Sequence, residues 1–440
     1  MSETPDLRAN REIHMKHSDT SELLEASLAL QRILRHCRPG ASVRRTLAQA
    51  AGGFLAQEIR ATHPSPPFNQ SHVDGYGILL ADVRKARKHQ PVSLPLVATI
   101  RAGDLSSGRL TPGHTVKIFT GAPVPGGVEA IVMRERCAED HGRVLFFCGA
   151  KSGDHIRYRG EEFRRNSVVL RTGERLSPPA IGLLASLGYR DARVYDRPRV
   201  ALLTTGNELI KPGRPLRPGQ VYECNAAALT TAIRGLGISG VRTVHARDAA
   251  DALRRSLLSL MPNHDVVISV GGVSVGDYDL VRDAAEEAGV RRVFWRVAVK
   301  PGMPLYFGVF SQKTSQDKIA SLPPRSSVFF GLPGNPVSAL VTFHQFVRPA
   351  LLRMLGQKVS QRFLIPVQLG ASLRKKPGRL EWVRGRLEFG GKSILARPVP
   401  GQQSHMLGGL TAANALIEFP AALAHLSRNS RLMAELLNWT

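Results

Sequence analysis

Three glycine-containing loops have the residue types that bind phosphate groups. They are residues 204–208 (Thr-Thr-Gly-Asn-Glu), 271–279 (Gly-Gly-Val-Ser-Val-Gly-Asp-Tyr-Asp) and 332–336 (Leu-Pro-Gly-Asn-Pro). Glycine lets the backbone approach an anion, and a following helix offers free N–H groups and a favourable dipole. Any one of these loops could simply be a tight turn, but three of them on one sheet edge favour an anion site.

The second and third loops supply most of the residues that we predict to bind the ligand. Asn335 is expected to be the N-cap of a helix whose first residue is Pro336. The predicted ligand-binding residues of these loops are Gly271, Gly272, Ser274, Gly276, Pro333, Gly334, Asn335 and Pro336.

Carboxylates accompany these loops. They belong to Glu208, Asp248, Asp277 and Asp279. Carboxylates beside a phosphate would repel it unless a cation lay between them, and Mg²⁺ is held by one or two carboxylates plus phosphate oxygens. We therefore expect a divalent metal. Asp248 could instead cap the following helix, and Asp279 could merely complement a helix dipole.

Lys300 is a candidate donor to an oxyanion. It follows a predicted strand and precedes Pro301, which restricts the backbone, although a solvated surface lysine is the alternative. Two stretches of the N-terminal half, residues 66–77 and 119–125, also have distinctive composition. Each is compatible with an ordinary turn when taken alone.

The glycine-containing loops lie in a segment, residues 198–355, where apolar runs alternate with helical patterns. Strands are predicted at 199–205, 241–246, 265–270 and 293–299, with helices from a cap at Asn225 to about 235, at 248–260 and at 278–289. This alternation predicts a largely parallel, doubly wound sheet, whose ligand sites lie in loops at the carboxyl ends of the strands.

The rest of the chain has shorter elements. Helices are predicted at 23–34, 43–59 and 177–188, β-rich structure at 64–147, strands at 363–369, 380–389 and 394–398, and a surface excursion at 312–327. The fold class is thus multi-domain, with a central α/β domain and β-rich parts. The predicted domains are a flexible tail (1–17), a linker and dimerisation domain (18–64 with 160–196), a β-rich domain (65–159), the α/β domain (197–355) and a small C-terminal β domain (356–440).

Composition excludes several classes of protein. The 440 residues carry a net charge of +25, which favours anionic partners, yet the basic residues are scattered and only 6% of residues are aromatic, which argues against specific nucleic-acid binding. No apolar run approaches the roughly 20 residues that span a bilayer, and the N-terminus has no apolar export segment. The four cysteines form no metal or disulfide pattern. We expect a cytoplasmic protein with no membrane partner.

Six motifs together resemble the molybdopterin molybdenumtransferase family, which includes the gephyrin E domain. They match in order and with fitting spacing, from about residue 20 to the C-terminus. The motifs are residues 66–77, 117–125, 205–209, 271–279, 300–302 and 331–338.

The resemblance implies an enzyme for the last step of molybdenum cofactor biosynthesis. Such an enzyme takes adenylylated molybdopterin and molybdate, inserts the metal in a Mg²⁺-dependent step and releases AMP. The resemblance also implies an elongated homodimer of four-domain subunits, in which the α/β domain of one subunit and the β-rich domain of its partner share the active site. A molybdopterin adenylyltransferase and recipient molybdoenzymes are the implied protein partners.

The resemblance assigns roles to individual residues. Asp74 and Thr120 would reach across the dimer, and Glu162 stands where the family usually has Asp. Glu208, Asp248 and Asp279 match acidic positions near the metal and the pyrophosphate. Lys300, Ser338, Arg384 and Ser404 match positions associated with the oxyanion and the cofactor phosphate.

The chain departs from the family at three positions. Met303 stands where a second Lys is common, which implies weaker molybdate affinity or compensation by Arg296. His405 and Asn429 replace frequent glycines. One alternative function is therefore a catalytically weakened paralogue, a dimeric scaffold or cofactor-binding protein. Another is adenylation of molybdopterin, which would consume ATP, and the two β-rich regions argue against it.

Overall fold

The computed structural model describes residues 23–105, 108–272, 280–311, 326–358, 362–390 and 393–437. The predicted tail and most of the predicted 312–327 excursion lie outside these ranges. The chain divides into two compact units. Ser42–Tyr195 forms one, and the described segments on either side of it form the other, beginning with helix α1 (Ala26–His36). No helix within the described ranges is long and apolar enough to cross a membrane.

The unit of residues 42–195 is built mainly from strands. Its helices are α2 (Leu47–Ala50), α3 (Leu80–Val83) and α4 (Pro178–Ser186). Its strands are β1 (Ser42–Thr46), β2 (Ile59–Arg60), β3 (Gln70–Ser71), β4 (Gly75–Ile78), β5 (Val92–Ile100), β6 (Thr115–Ile118), β7 (Ala130–Met133), β8 (Cys137–Asp140), β9 (Arg143–Phe146), β10 (Ile156–Arg157), β11 (Val168–Leu170) and β12 (Asp191–Tyr195).

A six-stranded sheet in the order β7-β4-β6-β5-β9-β8 holds most of this unit's core. Tyr76, Val132 and Phe146 are buried on it, with the rings of Tyr76 and Phe146 packed edge to face. The β-rich structure predicted for this region is confirmed.

The helix predicted over 43–59 is wrong. Residues 42–46 instead form β1, which pairs antiparallel with β12. Thr46 then caps the four-residue helix α2, because its hydroxyl accepts from the N–H of Gln49. Gly52, at a φ of +75°, ends that short turn. The apolar residues that suggested one long helix are therefore divided between a strand and a single helical turn.

The larger unit contains the α/β sheet. Its next helices are α5 (Asn225–Gly235), α6 (Ala250–Leu260), α7 (Leu280–Glu287), α8 (Pro336–Thr342) and α9 (Arg348–Met354). Its strands up to residue 332 are β13 (Val200–Thr205), β14 (Leu209–Ile210), β15 (Val221–Tyr222), β16 (Val241–Ala246), β17 (Val266–Val270), β18 (Val290–Trp295), β19 (Val299–Lys300), β20 (Tyr306–Ser311) and β21 (Ser326–Leu332).

The α/β sheet has the strand order β16-β13-β17-β21-β20-β18. The first four strands are parallel to one another, and β20 is antiparallel to both of its neighbours, β21 and β18. Every residue of β13 and β17 is buried, as expected for central parallel strands covered on both faces. The predicted largely parallel, doubly wound α/β architecture is confirmed.

The C-terminal part forms a small barrel. Its elements are β22 (Leu364–Leu369), β23 (Leu373–Arg374), β24 (Leu380–Gly390), β25 (Ser393–Pro398), α10 (Leu407–Thr411), β26 (Ala415–Phe419), β27 (His425–Leu426) and β28 (Arg431–Leu436). Strands pair in the order β24-β25-β22-β28-β26, and β26 pairs again with β24. The sheet therefore closes on itself around Val383, Ile417 and Phe419.

The single strand predicted over 293–299 is wrong. Strand β18 begins at Val290 and ends at Trp295, and Arg296 has a φ of +69°, which turns the chain. Strand β19 then pairs in parallel with β24 of the barrel. The chain thus leaves the α/β sheet and adds two residues to the neighbouring sheet.

A buried polar cluster joins the helix after β21 to the barrel. Helix α8 continues through a π-helical segment, Phe343–Val347, into α9. In that segment His344 Nε2 lies 3.2 Å from Glu435 Oε1, and Gln345 donates to the same carboxylate at 2.9 Å. Arg362 bridges Glu435 and Glu418 at 2.5 and 2.6 Å. Burial raises the pKa of Glu435, but these hydrogen bonds and charges outweigh it and lower the pKa to about 2.

Candidate functional site

The three glycine-containing loops begin side by side at the carboxyl edge of the α/β sheet. They follow β13, β17 and β21, which are adjacent parallel strands. Gly271 has a φ of +95°, and a Cβ added at Gly334 would lie only 3.5 Å from the Gly271 Cα. The backbones of two loops therefore approach each other closely, as glycine permits. Pro333 precedes Gly334 in the third loop, and Gly272 follows Gly271 in the second.

The first helix of this domain contributes a contact to the same edge. The sequence predicted Asn225 as the N-cap of α5, which is wrong. Cys224 holds the cap position, and the carboxylate of Glu223 accepts from the N–H of Ala226. The Asn225 side chain instead donates to the carbonyl of Gly334 at 2.8 Å, so it holds the third loop in place.

Oxygen-bearing side chains meet after β13 and β16. The hydroxyl of Thr205 donates to the Asp248 carboxylate, and the side-chain oxygen of Asn207 accepts from the N–H of Asp248 at 3.3 Å. Helix α6 begins at Ala250 with Ala249 in the cap position, so the capping alternative for Asp248 is wrong. Glu208 is exposed in the same loop as Asn207.

The donor set of this corner suits Mg²⁺ chemically. Its side-chain donors are carboxylate, hydroxyl and amide oxygens, the hard ligands that this ion prefers. No cluster of three or more His, Cys, Asp or Glu side chains able to hold a metal occurs within the described residues. Asp279, together with the predicted Ser274 and Gly276, lies outside those residues.

Asn335 occupies the predicted cap position, and Pro336 is the first residue of α8. The Asn335 side chain does not cap the helix. It donates to the hydroxyl of Ser404 at 3.0 Å, and the Ser404 carbonyl accepts from the N–H of Val337 at 3.1 Å. The start of α8 is therefore tied to the barrel loop that carries Ser404.

A cleft of about 570 Å³ opens beside this tie. Four of the predicted residues line it, namely Lys300, Ser338, Arg384 and Ser404. The remaining lining residues are Val299, Pro301, Gly302, Met303, Pro304, Arg379, Glu381, Trp382, Gln402, Gln403 and His405. The cleft thus combines residues from the α/β segment and from the barrel.

Lys300 reaches the cleft because β19 pairs with β24. The register places Lys300 opposite Glu381, and its ammonium lies 3.0 Å from the Glu381 carboxylate. The lysine side chain is 51% exposed, whereas that of Glu381 is 13% exposed. Lys300 is therefore an accessible cation with a more buried counter-ion. The sequence reasoning missed Glu381, because its position depends on this cross-domain strand pairing.

Arg384 is buried, and its guanidinium donates hydrogen bonds to the surrounding loop. It donates to the carbonyl of Gly401 at 2.5 Å and to that of Gln403 at 3.3 Å. Burial lowers the pKa of Arg384. These hydrogen bonds fix the segment that leads to Ser404.

Arg296 does not line this cleft. Its guanidinium stacks on the ring of Trp295 at 3.9 Å, because the positive φ of Arg296 turns the backbone there. The expectation that Arg296 compensates for Met303 is therefore wrong. The arginine beside Met303 is Arg379, which the sequence reasoning also missed. Its position between Gly378 and the strand predicted at 380–389 gave no signal of a ligand-binding role.

The other unit holds the remaining predicted residues. The Asp74 carboxylate accepts from the backbone N–H of Thr120 at 2.8 Å and from its hydroxyl at 2.7 Å. The hydroxyl bond and then the backbone bond hold the pKa of Asp74 below its ordinary value. Glu162 accepts from the hydroxyl of Ser65 at 2.7 Å. Asp74 and Thr120 thus form one hydrogen-bonded pair in which the carboxylate is kept ionised.

Family models match nearly the whole chain. One described as MoeA N-terminal region (domain I and II) matches residues 24–188, one described as probable molybdopterin binding domain matches residues 201–353, and one described as MoeA C-terminal region (domain IV) matches residues 366–433.

Individual proteins are similar over most of their length. Molybdopterin molybdenumtransferase 2 of Mycobacterium tuberculosis H37Rv is 35% identical over 91% of this chain and 95% of that protein. A molybdopterin molybdenumtransferase of Haemophilus influenzae is 31% identical over 89% and 93%. A crystal structure of a molybdopterin biosynthesis protein from Pyrococcus horikoshii OT3 has a TM-score of 0.77 at 25% identity, covering 94% of this chain and 100% of that one. The chain therefore belongs to the molybdopterin molybdenumtransferase family of enzymes.

Proposed function

We propose that this enzyme inserts molybdenum into adenylylated molybdopterin, using molybdate and Mg²⁺ and releasing AMP. The observation that carries the proposal is the cleft lined by Lys300, Ser338 and Ser404, which the Asn335–Ser404 hydrogen bond joins to the glycine loops. A cationic and hydroxyl-lined cleft suits a tetrahedral oxyanion, and the adjoining glycine loops suit phosphates. Family membership supports the reaction class.

The chain's own residues position the two substrates. Lys300 binds the oxyanion through its ammonium, with the hydroxyls of Ser338 and Ser404 as further donors. The glycine loops at Gly271 and Gly334 bind the pterin phosphate and the nucleotide phosphates through backbone N–H groups. Holding both reactants beside each other converts a bimolecular step into a local one, which is a large part of the rate enhancement available to such a site.

Asp248 and Glu208 would hold Mg²⁺, together with Asp279. When bound, the ion would neutralise negative charge on the leaving phosphate. Thr205 and Asn207 orient Asp248 through its carboxylate and its backbone. Added Mg²⁺ is expected to restore AMP release after chelation with EDTA.

A second copy of the chain would complete the site with Asp74, Thr120 and Glu162. Subunit complementation tests this part of the proposal. Asp74→Asn and Lys300→Met proteins are each expected to be inactive, whereas mixed dimers regain one intact site and with it part of the activity. Failure of co-expressed variants to regain activity, although hybrid dimers are isolated, contradicts a shared site.

AMP release tests the reaction itself. Purified protein is given adenylylated molybdopterin, Mg²⁺ and graded molybdate, and AMP is quantified. The expected result is AMP formation that saturates with molybdate and needs no ATP. Consumption of ATP with unmodified molybdopterin would instead identify an adenylating enzyme. Binding of the pterin without any AMP release would identify a non-catalytic paralogue.

A further inference from the structure

Basic side chains outnumber carboxylates at the barrel side of the cleft. Lys300 is ion-paired with Glu381 at 3.0 Å. Burial lowers the pKa of the nearby Lys375; Glu381 opposes that shift, and the charges of Arg379 and Lys300 add to it. Lys300, Arg379 and Arg384 line the cleft together with a single carboxylate, that of Glu381, so its wall carries excess positive charge.

The ammonium of Lys375 is engaged by the backbone. It donates to the carbonyl of Arg379 at 2.8 Å and to that of Ala421 at 3.3 Å. Lys375 is not among the residues that line the cleft. Its contribution is to fix the backbone from which the Arg379 side chain extends.

The guanidinium of Arg379 has a weak partner. Its Nη1 lies 3.7 Å from the sulfur of Met303, and both residues line the cleft. A thioether is a poor hydrogen-bond acceptor, so this contact leaves the arginine's donors available. Among the described residues, no carboxylate forms an ion pair with Arg379, whereas Lys300 has Glu381 and Arg384 has loop carbonyls.

We propose that Arg379 is an anion-binding residue of this cleft, that it holds the oxyanion substrate together with Lys300, and that Met303 positions its guanidinium. The inference rests on the proposed function. A guanidinium presents two parallel N–H groups to two oxygens of a tetrahedral anion, and an ammonium adds a point charge. The Met303 side chain supports the arginine without competing for its donors, whereas a lysine there would place a like charge against it.

Direct titration of molybdate into the full-length protein tests this inference. Calorimetry at fixed ionic strength compares the wild type with Arg379→Met, Arg379→Lys and Met303→Lys. The matched control is Arg386→Met, an exposed arginine on β24, the strand that begins directly after Arg379, and it does not line the cleft. Arg379→Met is expected to weaken molybdate binding by roughly tenfold to a hundredfold, the usual effect of losing hydrogen bonds to a charged group.

The other variants sharpen the result. Arg379→Lys is expected to recover only part of the affinity, because it lacks the planar pair of donors. Met303→Lys is expected to bind molybdate no more tightly than the wild type. In the AMP assay, Arg379→Met raises the KM for molybdate while the KM for adenylylated molybdopterin stays unchanged, which a general loss of structure would not produce.

The outcomes separate the inference from the function beneath it. If Arg379→Met binds molybdate as tightly as Arg386→Met while the wild type binds it well, Arg379 is not an oxyanion ligand and the proposed function stands. Tighter binding by Met303→Lys would also overturn the role given to Met303. A wild-type protein that does not bind molybdate in this titration overturns the oxyanion cleft itself, and with it both proposals.

Discussion

The basic residues of the cleft differ in the groups that already bind their side chains. The guanidinium of Arg384 donates to the carbonyls of Gly401 and Gln403, and the ammonium of Lys300 is ion-paired with Glu381. A buried guanidinium bonded to backbone carbonyls fixes a loop, whereas an accessible ammonium can exchange its counter-ion for a ligand. Residue type alone does not separate these roles, because both side chains are simply cationic in the sequence.

The Asp74–Thr120 pair gives a prediction about pH. Because hydrogen bonds lower the pKa of Asp74, the carboxylate stays charged to a more acidic pH than an ordinary aspartate. Thr120→Val removes the hydroxyl bond, so the pKa rises towards its ordinary value. If activity needs the charged carboxylate, the acidic limb of the kcat/KM profile for AMP release moves to higher pH.

Thr99→Val is the control for that profile. Thr99 is an exposed residue of β5 in the same unit, so its replacement is expected to leave the acidic limb in place. An unchanged limb in Thr120→Val, with the pKa of Asp74 shown by NMR titration to have risen, would mean that the ionisation of Asp74 does not limit the reaction.

Strand β19 places Lys300 in the cleft, and Gly302 lies two residues after this strand. Gly302 has a φ of +103°, and a Cβ there would collide with the hydroxyl of Thr342 on α8. Gly302→Ala is therefore expected to lower the free energy of unfolding by roughly 1–3 kcal/mol and to weaken molybdate binding. Urea unfolding and the calorimetric titration measure the two effects.

Gly240→Ala is the matched glycine substitution. An added Cβ at Gly240 meets nothing within 4 Å, and its φ is not in the left-handed region. It is expected to change stability by no more than about 0.5 kcal/mol. Equal stability of the two variants would contradict the close packing of Gly302 against α8.

Sequence patterns predicted the α/β domain well because its central strands are continuous apolar runs between helices with clear periodicity. The same patterns failed at residues 43–59, where pairing with β12 outweighs local helical spacing. They failed again at 293–299, since a positive φ at a non-glycine residue, Arg296, has no sequence signal. The strand pattern therefore predicted that the loops begin at the carboxyl ends of β13, β17 and β21, whereas Glu381 and Arg379 reach the cleft through the pairing of β19 with the start of β24.

At the scale of the larger unit, Glu435 joins the π-helical segment to the barrel. Its pKa of about 2 lies below the ordinary value of 4.5, so its charged form stabilises the fold. This contribution is complete above about pH 4.5 and is lost as the pH falls towards 2. Glu435→Gln is expected to lower the free energy of unfolding by about 3 kcal/mol at neutral pH and to flatten its dependence between those values.

Glu388→Gln provides the comparison for Glu435. Glu388 pairs with Arg397 on the barrel surface, where both side chains are about half exposed (49% and 52%). Solvent screening limits such a pair to less than about 1 kcal/mol. Chemical denaturation of both variants from pH 2.5 to 7 checks the difference, and an equally small loss for Glu435→Gln would show that the cluster does not hold the barrel in place.

The pairing of β19 with the barrel also limits where the chain can be cut into separately expressed domains. Two residues that belong covalently to the α/β segment cover the first part of β24. A barrel expressed from residue 362 onward would leave the start of β24 unpaired on that side, with backbone groups open to another chain. Exchanging the barrel between related proteins would therefore require exchanging residues 297–304 as well. The exchangeable unit is thus larger than the C-terminal barrel alone.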